Sequence, residues 1–513
     1  MNFTESLRLC ASIYSGKVCV ICEDRSVTFD QLNARADKIA HALQELGLKR
    51  GDAVAVMLYN CYEYIEIFHA LARVGLPMTP INYRSVPREI EYLVNHSECK
   101  AMIYGSDFAD RIDAALPDLN DIPEKNLIRI GTEGRGREYE SWLAEGSSDE
   151  AGAPVNENDI LYYNYTSGTT GFPKAALVKN GSKLAQTLVF SHEFRLTGRD
   201  RILINMPLYH GNALLFSNFA IYLGGSAVIM PKFDPEDALA CIEKYRTTTT
   251  SMVPTQYERI LALPEEIKAK YDTSSMKVVL CSSAPLHPNT RLEIIKFFKS
   301  ADMVEFYGAS EGGLATVMQP EDHARKPGSV GRAALWQSIR LLDENKRDVP
   351  VGDVGEIYFR GPIPFEGYYK MPEATAEVSH EGWFTPGDMG YLDEDGFLHL
   401  TDRKKDMIVS GGENIYPVEI EQVIATHPNV LDVAVIGVPS EAWGEVSKAL
   451  VVLSGSERTT EEEILDHCRQ NLARYKVPGS VEFRKELSRS PMGKLLKGVL
   501  REKYWKGHET RIL

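Results

Sequence analysis

Between Thr28 and Tyr104 the chain changes its hydrophobic period again and again, and that alternation limits the folds open to it. Thr28 and Gln31 spell a capping box, after which Leu32, Ala36, Ile39, Ala40 and Leu43 recur at helical spacing until Gly47. Residues 53–58 then read as a strand, 62–75 as a helix, 78–82 as a strand, 87–96 as a helix and 101–104 as a strand. Strands separated by helices of this length predict α/β layers around a largely parallel sheet. The pattern resumes with a strand from Val278 to Ser282 and a helix after Pro288.

Elsewhere the pattern changes. Residues 131–159 are rich in Gly, Glu and Ser and read as a loop-rich passage between two subdomains. Gly131, Gly134 and Gly136 do not follow the dinucleotide-binding order. Past Asp343 the segments shorten, and Asp395-Gly396 predicts a hairpin turn. Asp393 and Asp395 make only a fragment of a calcium loop. After Arg403-Lys404-Lys405-Asp406 a new unit is expected, with strands at 430–438 and 449–453, a helix from a Thr460/Glu463 capping box and a strand near Val481. These features predict two parts: a large multi-subdomain α/β domain over 1–402, and a small mobile α+β domain over 403–513.

Charge and cysteine usage narrow the function classes. With 57 Lys+Arg against 72 Asp+Glu the net charge is −15, which argues against a nucleic-acid partner needing a basic face. The eight cysteines are mostly single. Cys19 and Cys22 fall in a strand-like stretch with no second pair to complete a zinc site, and thiols used this way fit a reducing cytoplasm. The N-terminus shows no basic region followed by an apolar one, so no signal peptide is expected. Residues 202–231 lack Asp, Glu, Lys and Arg, but Asn205, Pro207, His210, Asn212, Asn218 and Gly224-Gly225 interrupt them. That predicts buried core, not a transmembrane span.

The chemistry is concentrated in Tyr165-Thr-Ser-Gly-Thr-Thr-Gly-Phe-Pro-Lys174, which follows the apolar Ile160-Leu-Tyr-Tyr run. Glycines let backbone approach an anion, hydroxyls donate to phosphate oxygens, and a lysine adds charge. The spacing is not that of a Walker loop, because Pro173 stands where Gly would be needed. The segment resembles the phosphate-binding signature of the adenylate-forming superfamily, which includes acyl-CoA synthetases, peptide-synthetase adenylation domains and firefly luciferase. Five further segments resemble that family in its order: Tyr307-Gly-Ala-Ser-Glu311, Gly382-Trp-Phe-Thr-Pro-Gly-Asp388, Asp402-Arg-Lys-Lys-Asp406, Ser410-Gly-Gly-Glu-Asn-Ile-Tyr-Pro417 and Ser490-Pro-Met-Gly-Lys494. Ser310 stands where the family usually has Thr, Pro386 where it has Thr, and Ala175 where Gly is common. Ser282-Ser283 replace smaller residues.

The resemblance implies an ATP- and Mg²⁺-dependent acyl-CoA synthetase working in two half-reactions. A carboxylate attacks the α-phosphorus of ATP to give acyl-adenylate and pyrophosphate, and the thiol of coenzyme A then displaces AMP. By the same resemblance Thr166, Ser167, Gly168, Thr169, Thr170, Gly171 and Lys174 hold phosphates. Glu311 with Thr166 holds Mg²⁺, and Tyr307, Gly308, Ser283 and Ala284 hold adenine. Ser310 reaches the α-phosphate, while Asp388 and Arg403 hold ribose. Lys494 serves adenylation, Lys405 is the hinge, and Gly411 and Gly412 border the pantetheine path. His210, Ser282, Gly308 and Gly312 would lie beside a fatty or aromatic acid without a second charge. Relatives are often dimers, so a homodimer is considered. Two alternatives remain. One is an adenylating enzyme with another acceptor, such as a carrier protein or oxygen; the absence of an appended carrier domain and the Ser410-Gly-Gly-Glu-Asn segment favour CoA. The other is a non-catalytic nucleotide-binding regulator, against which the presence of both Glu311 and Lys494 counts.

Overall fold

The alternating stretch folds as its periods require. In the computed structural model, which describes residues 3–147, 149–166, 173–284, 286, 288–403, 406–410, 413–440, 443–455, 459–472, 474–489 and 495–506, it builds the three central strands of a seven-stranded sheet. The strand order is Arg137–Glu138, Leu127–Ile130, Ala101–Gly105, Val54–Met57, Met78–Pro80, Ile160–Thr166 and Lys174–Lys179. All neighbours are parallel except the last two strands, which form an antiparallel pair. Thr28 and Gln31 do cap the helix Phe29–Glu45, with the Thr28 N–H donating to Gln31 Oε1 at 3.0 Å. The helix Tyr62–Val74 ends at Gly75, whose φ of 69° is the left-handed stop that glycine tolerates.

That helix is buried on nearly every face because it lies in a core shared by two sheets. Ile65, Phe68 and Leu71 belong to one cluster with Val54 and Val56 of the first sheet and Ile202 and Ala227 of the second. The second sheet has nine strands, and its central ones (Asp302–Ala309, Val278–Cys281, Thr249–Met252, Arg201–Ile204, Ser226–Ile229 and Val18–Cys22) are parallel. Cys19 and Cys22 are buried within the strand Val18–Cys22. The uncharged 202–231 run supplies two strands of this sheet and the buried helix Gly211–Tyr222. Among the described residues no helix is long and apolar enough to cross a membrane.

The passage 131–159 corrects its expectation. It contains the strand Arg137–Glu138 and the helix Tyr139–Glu145, and it lies within one sheet instead of dividing two subdomains. Tyr139, Trp142 and Leu143 recur at i, i+3 and i+4 and are buried, while the Glu138 carboxylate accepts from the N–H groups of Glu140 and Ser141 at 3.0 and 2.7 Å. A side-chain cap and an apolar stripe outweigh the loop-like composition.

A third, antiparallel sheet follows. Its strands Asp388–Leu392 and Leu398–Arg403 are joined through Asp395-Gly396, with Gly396 at φ 78°. Lys326 Nζ is the cation at Asp393 and Asp395, 2.8 and 2.5 Å away. The last sheet contains Ile408–Ser410, Glu413–Ile415, Val430–Ser440, Gly444–Leu453 and Ser480–Phe483. The helices Pro417–Ala425, Glu461–Asn471 and Lys497–Trp505 accompany it, and the Thr460/Glu463 box opens the second of them. Among the described residues, its two apolar clusters contain none before Ile408. The class is α/β, with a large N-terminal part and a small C-terminal sheet domain.

Candidate functional site

The strands Ile160–Thr166 and Lys174–Lys179 pair so that Thr166 and Lys174 stand opposite each other at the open end of the first sheet. Between them lie Ser167, Gly168, Thr169, Thr170 and Gly171, which fall outside the described residues, as do Pro285, Lys405, Gly411, Gly412 and Lys494. Glu311 arrives from the second sheet, on the turn between Asp302–Ala309 and Gly313–Met318. The Thr166 hydroxyl donates to Glu311 Oε1 at 3.0 Å. One side chain from each sheet therefore closes the seam between them, with Lys174 alongside.

The turn carrying Glu311 is held closely. A Cβ on Gly308 would stand 2.1 Å from the Gly313 carbonyl oxygen, and one on Gly312 would meet the rings of Phe359 and Phe384 at 2.6 and 2.7 Å. Both positions need a residue without a side chain, so the strands approach tightly enough to aim Ser310 and Glu311. Asn164 Nδ2 donates to the Ser310 carbonyl at 3.2 Å, a second tie from the first sheet. On the same hairpin the Tyr307 hydroxyl donates to Asp388 Oδ2 at 2.8 Å. Asp388 is registered against Arg403, of which the backbone is described. Next to Pro386, the buried Thr385 donates to Glu356 Oε1 at 3.2 Å and accepts from the Gly387 N–H at 3.0 Å, which sets the backbone leading into Asp388.

Of the residues expected near the acid, Gly308 and Gly312 lie on the Glu311 hairpin, while His210 and Ser282 fall in a second cluster around Asn212. Asn212 Nδ2 donates to Ser282 Oγ at 3.2 Å, and Ser282 Oγ lies 3.3 Å from Ser283 Oγ. Ser283 holds φ 71°, a left-handed conformation uncommon for serine, and leads into Ala284. His210 is the N-cap of the helix Gly211–Tyr222, its Nδ1 accepting from the Asn212 N–H at 3.4 Å. Burial lowers its pKa to about 4, so the imidazole is neutral at pH 7 and can act as this acceptor.

Sequence reasoning missed two residues that join these groups. Asn164 interrupts an apolar strand run, and that interruption was its signal. Tyr368 carried no signal of its own. Its hydroxyl donates to Glu311 Oε1 at 3.1 Å, and Lys174 Nζ sits 5.3 Å from its ring centroid. Burial first, and then the Glu311 carboxylate, push this phenol well above its ordinary pKa, so it remains a donor. Hydroxyl and carboxylate oxygens around Glu311 are hard donors of the kind Mg²⁺ takes. Among the described residues no group of three or more His, Cys, Asp or Glu surrounds a metal position. A single carboxylate is nonetheless sufficient for a cation that completes its shell with substrate phosphates and water.

This arrangement agrees with what the chain is similar to. The pattern of the AMP-binding enzyme matches residues 8–369, and that of the AMP-binding enzyme C-terminal domain matches 419–494. The chain belongs to the AMP-binding enzyme family, in its acyl-CoA synthetase branch. It is 35% identical over 482 residues to a long-chain-fatty-acid–CoA ligase of Mycobacterium tuberculosis, covering 94% of each chain. A feruloyl-CoA synthase of Amycolatopsis sp is 34% identical over 481 residues, covering 93% of this chain and 94% of that one. ATP-bound MatB from Rhodopseudomonas palustris superposes with a TM-score of 0.89 at 32% identity, over 98% of this chain and 99% of that chain.

Proposed function

We propose that the chain joins a fatty or aromatic carboxylic acid to coenzyme A through an acyl-adenylate, with cleavage of ATP to AMP and pyrophosphate. The observation that carries this reading is the 3.0 Å contact of Thr166 with Glu311 beside Lys174, on a hairpin whose Tyr307 also reaches Asp388. A carboxylate attacking a triphosphate is repelled by it, so the site must supply donors and positive charge aimed where charge develops. In this reading Lys174 and the hydroxyls at Thr166, Ser167, Thr169 and Thr170 hold the departing phosphates. Glu311 and Thr166 would hold Mg²⁺, which neutralises phosphate charge. Tyr307, Ser283 and Ala284 face adenine, Asp388 and Arg403 take the ribose hydroxyls, and Ser310 reaches the α-phosphate. Lys494 meets the reacting carboxylate, and Gly411 and Gly412 border the pantetheine path.

The acid would lie beside His210, Ser282, Gly308 and Gly312. Long-chain fatty and ferulic acids, the substrates in the names of the two relatives, bracket its class. The proposed division at 402/403 falls at the final residue of the strand Leu398–Arg403, ahead of the last sheet, which begins at Ile408. A homodimer in the cytoplasm completes the proposal. The test is a panel of fatty and aromatic acids with ATP, Mg²⁺ and CoA, scored for AMP, pyrophosphate and thioester. AMP formed only when CoA and a suitable acid are present supports the reading. ADP with acyl phosphate would exclude adenylation, and adenylate that CoA cannot discharge would point to another acceptor.

A further inference from the structure

We infer that Tyr368 is a positioning residue for the adenylation half-reaction: its hydroxyl sets the Glu311 carboxylate while its ring seats Lys174, so that both face the triphosphate in one geometry. The inference rests on the proposed function, and it adds a residue that no motif of the sequence contains.

The main chain delivers Tyr368 to this place. The Leu177 N–H donates to the Gly367 carbonyl at 3.0 Å, and the Tyr369 N–H donates to the Ala175 carbonyl at 2.9 Å. Segment 367–369 thus lies along the strand Lys174–Lys179 as a short added edge, with Tyr368 bridged to Ala176. On its other side the Tyr368 N–H donates to Thr375 Oγ1 at 2.9 Å, and Thr375 Oγ1 in turn donates to the Met371 carbonyl at 2.9 Å. Phe365 packs edge-on against the ring, 5.0 Å between centroids. The phenol therefore shares a frame with Lys174, whose ammonium lies within cation–π range of its face.

Glu311 does not share that frame. It comes from the hairpin of the second sheet, and two hydroxyls, from Thr166 and Tyr368, both donate to its Oε1. Two charge-assisted hydrogen bonds that converge on one oxygen from different elements hold that oxygen in place. Thr166 alone would leave it free to swing about that single contact. Tyr368 supplies the second point and also links the carboxylate to the lysine, so the groups meant for metal and phosphate are spaced before ATP binds.

The test compares the full-length wild type with Tyr368→Phe, Tyr368→Leu and Glu311→Gln. Calorimetry of ATP binding across a Mg²⁺ series comes first, because it needs no turnover. Tyr368→Phe keeps the ring and loses the hydroxyl, so the Mg²⁺ required for half-maximal ATP binding should rise while the melting temperature stays close to wild type. Pyrophosphate release should fall about tenfold or more, the scale of one hydrogen bond to a charged group. Tyr368→Leu also removes the face under Lys174 and should lose more, and Glu311→Gln should lose most. Thioester formation from preformed acyl-adenylate and CoA, which involves no triphosphate, should be much less affected by Tyr368→Phe. Wild-type Mg²⁺ dependence and pyrophosphate release in Tyr368→Phe, or equal losses in both half-reactions, would overturn the inference. Failure of the wild type to bind ATP or release pyrophosphate with any acid would instead remove the proposed function, and the inference with it.

Discussion

Lys183 is fully buried on the inner face of the helix Asn180–Glu193. Its Nζ donates to Gln186 Oε1 at 3.1 Å and lies 5.5 Å from the Tyr162 ring centroid; among the described residues no carboxylate lies within ion-pair distance. Burial lowers its pKa from 10.5 to about 7. Below about pH 7 the amine is protonated in both folded and unfolded chains, and the full cost of burying charge is present. Between about 7 and 10.5 the unfolded chain binds more protons, so stability rises with pH. Lys183→Met should therefore stabilise the protein at pH 7 by about 1 kcal/mol or more and remove that rise, since a tenfold loss of proton affinity on folding corresponds to about 1.4 kcal/mol. Denaturant midpoints measured from pH 7 to 10 decide it, and a variant no more stable than wild type would mean that the amine is compensated.

In the proposed reading, adenylation turns on the hairpin from Asp302–Ala309 to Gly313–Met318. It spans both ends of the nucleotide in the proposed reading, Tyr307 on one side and Glu311 on the other. The register shifts between Tyr307 and Gly308, where a Cβ would strike the facing carbonyl. Gly308→Ala should force the strands apart and misplace Glu311, reducing pyrophosphate release by on the order of 10²-fold, the cost of an ångström-scale displacement. A stopped-flow pyrophosphate assay reads this directly. An unimpaired variant would show that the hairpin yields without moving the carboxylate.

At the scale of the molecule Glu311, Asp388 and the seam residues belong to the large part, while Lys494 lies in the sequence of the small one. In the proposed mechanism one small domain cannot bring both Lys494 and the Gly411-Gly412 path to the same carboxyl carbon at once. It must turn between half-reactions, with Lys405 as pivot. Lys494→Ala should cripple adenylation yet largely spare thioester formation from synthetic acyl-adenylate. Lys405→Pro should do the reverse, because proline fixes its own φ and restricts the residue before it. Assaying the halves separately distinguishes them, and two variants impaired equally in the same half would dismiss both the lysine role and the hinge.

Local pattern was enough for the α/β class and for the helices Phe29–Glu45, Tyr62–Val74 and Pro87–His96, because period, caps and glycine stops act over a few residues. The same reasoning placed the hairpin at Asp395-Gly396 and kept the 202–231 run inside the protein. It failed at Tyr139–Glu145, where three buried side chains and one cap outweighed a loop-like composition. It could single out Thr166, Lys174, Glu311 and Asp388 by resemblance, but not say which of them touch. Those contacts join residues 145 and 81 positions apart: Thr166 with Glu311 depends on how the first two sheets pack over a common core, and Tyr307 with Asp388 on how the second packs against the third. Tyr368 reaches Glu311 only because segment 367–369 pairs with the strand Lys174–Lys179. A tyrosine acquires such a role from long-range backbone pairing, which leaves no mark in the residues on either side of it.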